Sequence, residues 1–377
     1  MRLPELESAD ISYRFLGATA LNHFFRLPQS PVLYAAADTD LTQLATLYDD
    51  PTFPGHPAWD LVVKSGGRDV FIKEEDGFAA HRRDPLSEFS WDPLRRAFHD
   101  PMGLYPLLKE ARTRLKVKSF SDNVPVGLDE FPHLGEMIGS LDAPVAAVVA
   151  ARFPIRPMPS SVRPWSPDPT LPPVFHRNVL TEIISGPWPA RGLEILRRTG
   201  YLADILPDLD ALNRVEHSKE GHPEGNAWKH TLETYSYRKT RDLTVGLALL
   251  FHDIGKAISR PNGARRFDGH ADIGANRAVQ ILRGLTFTEE MISAVRWLIR
   301  YHMIPGALLR LPDHRRDPIM ASPLFPLLLE VYRCDLSSTF RGPENYYAAC
   351  TIYRRFLKTR RRRELYPSRK LVATYLE

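Results

Sequence analysis

The amino-acid sequence predicts an α+β protein, in which a small mixed α/β domain is followed by an all-α domain. Short apolar runs bounded by Pro, Gly and Asp dominate the first part of the chain, which is typical of strands. A segment with eight prolines in 22 residues follows at 152–173. Beyond this segment, apolar residues recur at helical spacing through most of the remaining chain. These three observations separate a sheet-containing part from a helical part.

The N-terminal part contains three predicted strands, which are short, apolar or alternating, and bounded by turn-forming residues. They are 31–37, 59–65 and 68–76. The segment 39–50 is a predicted helix instead, because Leu41, Leu44 and Leu47 recur along one side of it. The first part of the chain is therefore expected to pack at least one helix against a sheet.

The proline-rich segment 152–173 is predicted to contain neither a helix nor a central strand, because proline lacks an N–H group and fixes φ. We expect a linker or an extended surface loop there. The segments that follow are predicted helices because their apolar residues recur at helical spacing. They are a helix ending at Gly186 and the segments 189–200, 227–241, 243–258, 271–285, 288–302 and 323–338.

The amino-acid composition indicates the broad class of protein. Apolar residues make up 43% of the chain and charged residues 25%, as is usual for globular domains. The longest apolar runs are far shorter than the ~20 residues that span a bilayer. The N-terminus does not show the order of a signal peptide, and the chain has only two cysteines. We therefore expect a cytoplasmic protein with no membrane partner and no disulfide framework.

A basic segment lies near the C-terminus. Residues 354–370 hold nine Lys or Arg and one Glu, although the whole chain has a net charge of only +5. Such a run neutralises phosphates and suits nucleic acid. A solvated tail without a ligand is the alternative interpretation.

Six histidine and aspartate side chains are predicted metal ligands. His252 and Asp253 end an apolar helix, where two polar side chains are costly unless they face a polar site. The other candidates lie at the ends of predicted helices or just beyond apolar stretches, so several helices would converge on one buried site. The full set is His230, His252, Asp253, His270, His302 and Asp335.

Imidazole and carboxylate ligands without a thiolate suit a divalent transition metal: Fe, Mn, Ni, Co or Zn. Six candidates allow either two ions bridged by a carboxylate or one ion with spare groups for a substrate. In the one-ion case His270 and His302 are polar neighbours, and Asp335 has a surface carboxylate as its alternative. Lys256, four residues after His252, is a candidate contact for phosphate. His217 and His222 are either pocket residues or loop residues.

The order His…His-Asp…His…His…Asp resembles the two-metal members of the HD superfamily of metal-dependent phosphohydrolases. A longer likeness covers about 178–340. Its motifs "HPEGNAWKHTLE", "LALLFHDIGKA" and "FDGHADIGANRAVQIL" are similar to bacterial tRNA CCA-adding enzymes and poly(A) polymerases that carry an HD domain. This resemblance implies the following organisation: a nucleotidyltransferase-like head at 1–120, a Pro-rich linker region at 121–173, a helical neck at 174–212, an HD domain at 213–345 and a basic C-terminal segment at 346–377.

The head also resembles this family after its predicted strands. An Arg-Arg-Asp opens the nucleotide pocket in the family, and an Asp-Pro-Gly-Gly turn follows it. The matching residues here are Arg82, Arg83, Asp84, Asp100, Pro101 and Gly103. The resemblance implies nucleotidyltransferase ancestry for this part of the chain.

The catalytic motifs of that family are incomplete here. The expected Gly-Gly turn has one glycine, Gly17, and the acidic pair should fall near 32–34, where the sequence is "VLY". Asp38 and Asp40 follow the predicted strand, where capping of a helix is the expected role. The "GGRD" at 66–69 lies between two predicted strands, as in a hairpin turn. We therefore expect a head of degenerate catalytic sequence.

Three functions are consistent with the sequence. The first is a metal-dependent phosphohydrolase, a phosphatase or phosphodiesterase acting on a nucleotide or RNA-related phosphoester, with Asp253 and Lys256 as catalytic residues and one or two ions at the site. The second is a tRNA nucleotidyltransferase, of the CCA-adding or poly(A) polymerase type, with an active head. The third is a non-enzymatic RNA-binding protein. The sequence predicts no oligomeric state.

Overall fold

The computed structural model describes residues 1–55, 59–74, 85–117, 133–134, 141–216, 225–259, 269–359 and 368–376. The chain divides into two compact units, Met1–Tyr201 and Leu202–Glu377. The finer domain boundaries expected from the sequence stay predictions. Among the described residues, every helix is too short or too polar to cross a lipid bilayer.

The unit Met1–Tyr201 is built on strands with helices around them. Its strands are β1 Tyr13–Leu16, β2 Val32–Ala37, β3 Leu61–Ser65, β4 Arg68–Glu74, β5 Ser90–Asp92, β6 Ala97–His99, β7 His133–Leu134 and β8 Arg156–Pro157. Its helices are α1 Pro4–Ser8, α2 Gly17–Phe25, α3 Leu41–Thr46, α4 Pro85–Glu88, α5 Tyr105–Val117, α6 Ala143–Arg152, α7 Pro173–Ile184 and α8 Pro189–Arg198.

Six strands form one mixed sheet in the order β3-β4-β2-β1-β5-β6. Only the β2–β4 pair within this sheet is parallel; the other neighbours are antiparallel. One apolar core includes Phe24, Phe89 and Phe153, and a second includes Leu6 and Ile72. The sheet is therefore held by apolar packing that involves both its strands and the surrounding helices.

The predicted hairpin at 66–69 is confirmed. Ser65 pairs with Arg68, and both intervening glycines have positive φ, 54° for Gly66 and 75° for Gly67. This is the conformation of a type I′ turn, which glycine adopts without a steric cost. The "GGRD" sequence is thus a strand connection.

The expected linker at 121–173 contains a helix, so the prediction is corrected there. Helix α6 holds five alanines and is almost fully buried. Its small side chains allow close approach to α8, where a Cβ on Gly192 would contact the backbone of Ala147 at 2.5 Å. Beyond α6, the prolines leave only the two-residue strand β8 and a 3₁₀ turn at Pro159–Ser161, as the composition predicts.

Within the described residues, the unit Leu202–Glu377 is built from helices joined by turns and loops. Its helices, with α9 crossing the unit boundary, are α9 Tyr201–Ile205, α10 Pro207–Ala211, α11 Ala227–Thr234, α12 Leu243–Phe251, α13 Ile254–Ile258, α14 His270–Gly284, α15 Glu289–Tyr301, α16 Asp313–Met320, α17 Phe325–Ser337, α18 Glu344–Thr359 and α19 Arg369–Tyr375. Short 3₁₀ turns lie at Leu212–Arg214, Tyr235–Tyr237 and Ile304–Ala307.

Helix α12 is the central element of this unit, because every residue from Val245 to Phe251 is buried. The predicted helix 243–258 is two helices, since the chain turns between α12 and α13. Asp253 leaves helical geometry there, with φ −103° and ψ 2°. This turn places the buried side chains of His252 and Asp253 in the same part of the interior.

Candidate metal centre

The six predicted ligands come from five places in the chain and lie together inside the helical unit. His230 is on α11, and Asp335 is on α17. The remaining four stand at helix ends: His252 and Asp253 between α12 and α13, His270 at the start of α14, and His302 at the end of α15. All are buried except Asp335, whose side chain is 22% exposed.

Asp253 lies at the middle of the group. Its Oδ2 atom is 3.4 Å from His252 Nε2 and 3.9 Å from His230 Nε2, whereas its Oδ1 atom is 3.6 Å from His270 Nε2. His302 completes the second side, with its ring centroid 5.3 Å from that of His270. The carboxylate therefore faces histidines on both of its oxygens.

Two sets of three residues have ligand atoms within 4.8 Å of one another, and both contain Asp253. The first set adds His230 and His252, and the second adds His270 and His302. Such an arrangement has room for one ion, or for two ions that share the carboxylate. Asp335 belongs to neither set, but its Oδ1 atom lies 2.9 Å from His230 Nε2.

Backbone carbonyl groups fix the orientation of two histidines. The Nδ1–H of His252 donates to Leu249 O at 2.8 Å, and that of His302 donates to Ile299 O at 2.7 Å. A carbonyl only accepts, so Nδ1 carries the proton and Nε2 keeps its lone pair. The buried Nε2 atom of His252 has no hydrogen-bond partner among the described residues. In metal-binding histidines, the ring nitrogen that does not hold the metal typically donates to a carbonyl or carboxylate, as Nδ1 does in these two residues.

Ser338 orients His230 in a similar way. Its Oγ atom donates to Asp335 O at 2.7 Å and lies 3.1 Å from His230 Nδ1. Since the hydroxyl has a single proton and donates it to that carbonyl, Oγ accepts from Nδ1–H. This contact directs the Nε2 atom of His230 toward the carboxylates, at 2.9 Å from Asp335 Oδ1 and 3.9 Å from Asp253 Oδ2.

Protonation of the group also suits metal binding. Burial lowers the pKa of His252 and of His302, so both imidazoles are neutral near pH 7. Burial opposes ionisation of Asp253, but Lys256 and the neighbouring histidines hold its pKa well below the ordinary value. The pKa of Asp335 is also lowered, because burial is outweighed by the hydrogen bond with His230 and by nearby histidines. Metal ligands must be deprotonated in this way.

A cavity of about 280 Å³ opens beside the group. Asp253, His270, His302 and Asp335 contribute to its wall, as does Lys256, whose Nζ atom donates to Asp253 Oδ2 at 2.7 Å. The predicted Lys256 side chain thus reaches the cavity. The sequence did not predict the other lining residues, because they do not follow the pattern of His and Asp that identified the ligands. They are Met303, Gly306, Ala307, Arg310, Tyr332, Leu336, Thr339, Arg341 and Asn345.

Some residues named from the sequence lie outside the described residues, and others have a different role. His217, His222, Arg82, Arg83 and Asp84 lie outside the described residues. Asp100 instead caps α5, because its carboxylate accepts from the backbone N–H groups of residues 104 and 105 at 2.8 and 2.7 Å. Pro101 and Gly103 form the turn before that helix, and Gly103 has φ +70°.

The sheet of the first unit bears no comparable group. Strand β2 runs through "VLYAAA" and carries no carboxylate. Asp40 caps α3, since its Oδ1 atom accepts from Gln43 N at 2.8 Å, which is the role expected from the sequence. Asp38 lies beyond the strand, and its backbone N–H donates to Ser12 O. Within the described residues, no set of three metal-type ligands occurs in this unit.

The family model described as "HD domain" matches residues 226–333, which contain five of the six predicted ligands. Residues 226–333 form an HD domain. The family resemblance inferred from the sequence is confirmed in this segment, whereas the metal-ligand role of each side chain stays a prediction.

Curated relatives extend the comparison. A "Multifunctional CCA protein" of Halorhodospira halophila is 35% identical over 119 residues, which cover 31% of this chain and 29% of that protein. A "CC-adding tRNA nucleotidyltransferase" of Thermus thermophilus is 36% identical over 145 residues, covering 36% of this chain and 32% of that protein. The matched part of the chain thus spans about a third of the length of these relatives.

One solved structure shares the fold over most of the chain. The CCA-adding enzyme of Bacillus stearothermophilus in complex with CTP aligns with a TM-score of 0.50 at 11% identity, covering 95% of this chain and 80% of that one. With the HD domain and the six-stranded sheet, this confirms the predicted α+β class and its nucleotidyltransferase-like first part.

The predicted main function is corrected by these relatives. A phosphohydrolase was expected from the ligand pattern, but the similar curated proteins are CCA-adding or CC-adding enzymes. They favour the alternative, a tRNA nucleotidyltransferase. The ligand pattern misled because an HD domain can be one part of a protein whose named activity is different.

Proposed function

We propose that this protein processes the 3′ end of tRNA and belongs functionally with the tRNA nucleotidyltransferases. The observation that carries the proposal is the 35–36% identity, over 119 and 145 residues of the chain, to proteins named for CCA or CC addition. The shared fold over 95% of the chain is consistent with it. Its partners would be tRNA, for which the Thermus thermophilus relative is named, and nucleoside triphosphates such as the CTP of the similar structure.

Nucleotidyl transfer places a specific demand on the first unit, because paired carboxylates normally hold the two metal ions of this reaction. Strand β2 has none, so the first acidic side chains after it along the chain are those of Asp38 and Asp40. Transfer by this unit would therefore depend on one or both of these residues.

We further propose that the centre of the HD domain binds one or two divalent transition-metal ions from the group Fe, Mn, Ni, Co and Zn. Five of the six side chains are buried, burial lowers the pKa of His252 and His302, and the buried Nε2 atom of His252 has no hydrogen-bond partner among the described residues. The ligands would be His230, His252, Asp253, His270, His302 and Asp335. A bound ion would supply a Lewis acid that attracts an anionic oxygen of a ligand.

The test is incorporation of labelled CTP and ATP into tRNA that lacks its 3′ end. Asp40→Asn is the informative variant, because asparagine caps a helix as well as aspartate does but cannot replace a metal-binding carboxylate. Incorporation that falls in Asp38→Asn or Asp40→Asn supports transfer by the first unit. Absence of both incorporation and tRNA binding in the unaltered protein overturns the proposal.

A second candidate is tRNA binding without nucleotidyl transfer, which the carboxylate-free strand β2 favours. The same assay separates the two. Tight tRNA binding with no incorporation, unchanged in Asp40→Asn, supports this second function.

A further inference from the structure

The mouth of the HD-domain cavity carries two arginines that have no acidic partner. Arg310 and Arg341 line the cavity and are exposed, and neither guanidinium group takes part in an ion pair among the described residues. Arg341 lies close enough to the Tyr332 hydroxyl to lower its pKa, against the larger effect of burial that raises it. The two guanidinium groups give the opening positive charge, whereas the charge of Lys256 is paired with Asp253.

Large apolar side chains are exposed on the cavity wall and next to its lining residues along the chain. Phe340 is 71% exposed and lies between two lining residues, Thr339 and Arg341. Leu309, 70% exposed, precedes Arg310, and Met303, 49% exposed, lines the cavity itself. Exposed apolar side chains grouped with cations around an opening mark a candidate ligand-binding surface.

Exposed rings interleaved with arginines match the chemistry of single-stranded nucleic acid. Each base offers a flat face that stacks on an aromatic ring, while each phosphate is neutralised by a guanidinium group. Duplex RNA fits this surface less well, because its bases are stacked within the helix and its grooves are read by shape. A protein partner would need a larger and more continuous apolar face than one ring and two aliphatic side chains.

We propose that this surface, formed by Met303, Leu309, Arg310, Phe340 and Arg341 and here named the cavity rim, binds a single-stranded end of RNA. A base stacks on Phe340, and the adjoining phosphates contact Arg341 and Arg310 beside the metal centre. The proposal rests on the proposed function, since tRNA is the RNA whose single-stranded 3′ end would be bound.

The experiment measures fluorescence anisotropy of a labelled single-stranded RNA hexamer with the full chain at about 150 mM salt, where weak non-specific binding is reduced. Phe340→Ala and Arg341→Gln should each weaken binding about tenfold, as expected for the loss of one stacked base or one phosphate contact. Phe340→Tyr retains the ring and should bind like the unaltered protein. Arg315→Gln removes an exposed arginine that does not line the cavity and should have no effect.

A duplex of the same sequence should compete at least tenfold less well than the hexamer. The proposal is overturned if Phe340→Ala and Arg341→Gln bind the hexamer as tightly as Arg315→Gln does, or if the duplex competes equally. Incorporation into tRNA is measured on the same variants. If the variants incorporate nucleotide normally and bind the hexamer as before, only the proposal for the cavity rim is rejected. If the unaltered protein binds the hexamer through the rim but incorporates no nucleotide, the rim proposal stands and nucleotidyl transfer is rejected.

Discussion

Gly255 and His270 are packed so closely that a Cβ atom at position 255 would overlap the carbonyl oxygen of His270. Gly274 lies on the same contact, with its backbone N 2.9 Å from that Cβ position. The absence of two side chains therefore lets α13 cross the first turn of α14. This crossing brings the His252-Asp253 turn to His270.

We expect Gly255→Ala to separate these helices. Overpacking of this kind costs about 1–3 kcal/mol, and here it should also reduce metal content because His270 moves away from Asp253. Gly284→Ala is the matched control, since it lies on α14 with nothing within 4 Å of its Cβ position and should be neutral or slightly stabilising. Urea unfolding and elemental analysis test both variants; an unchanged metal content in Gly255→Ala would contradict the role of this contact.

The six candidate ligands were predictable because each stands at a helix end or beside an apolar stretch, where a polar side chain has no reason to be buried alone. The turn at Asp253 was not, since the apolar periodicity continues through 243–258 without a Gly or Pro at the break. Helix α6 was missed because nearby prolines masked the alanine-rich segment 143–152. Arg310 and Arg341 were missed because only tertiary packing brings them together.

The shared position of Asp253 leads to a prediction about metal stoichiometry. Asp253→Ala should lose nearly all bound metal, because this carboxylate belongs to both sets of ligands. His302→Ala should keep the ion at His230 and His252, and so retain about half of the metal of a two-ion centre. Elemental analysis of the purified chain measures both, with the exposed His314→Ala as the control. A full metal content in His302→Ala would show that one ion suffices.

Ser338 offers a test of ligand orientation without removal of a ligand. Ser338→Ala frees the Nδ1 atom of His230 from its 3.1 Å contact, and loss of such a partner typically lowers metal affinity about 10- to 100-fold. Ser337→Ala is the adjacent control, on the same helix but outside the centre. Competition with a metal chelator gives the two affinities. Equal values for the two variants would exclude Ser338 as an orienting residue.

The first unit contains a buried carboxyl group whose titration should be visible in stability. Burial raises the pKa of Glu182, although Arg152 Nε lies 3.0 Å from its Oε2 atom and opposes the shift. The folded state therefore holds this proton to higher pH than the unfolded chain does. As the pH rises above the ordinary value of 4.5, the carboxyl lowers the free energy of unfolding progressively.

Glu182→Gln should remove this dependence. The difference in unfolding free energy, variant minus unaltered protein, should therefore increase between about pH 4 and pH 7, whatever its absolute sign. Urea titrations monitored by tryptophan fluorescence across this range measure the difference. A constant or decreasing difference would mean that the Arg152 guanidinium dominates the titration.

The basic segment allows a test of electrostatic RNA binding that is separate from the cavity rim. Arg354, Arg355 and Lys358 are exposed on α18. If all three contact phosphate, their replacement by Gln should reduce the slope of log affinity against log salt by about 2, since each phosphate contact on a single strand contributes about 0.7. Filter binding of tRNA between about 50 and 200 mM salt gives the slope. Arg315→Gln, a single exposed arginine on α16, should leave it nearly unchanged. An equal slope in the triple variant would exclude these three residues of α18 as phosphate contacts.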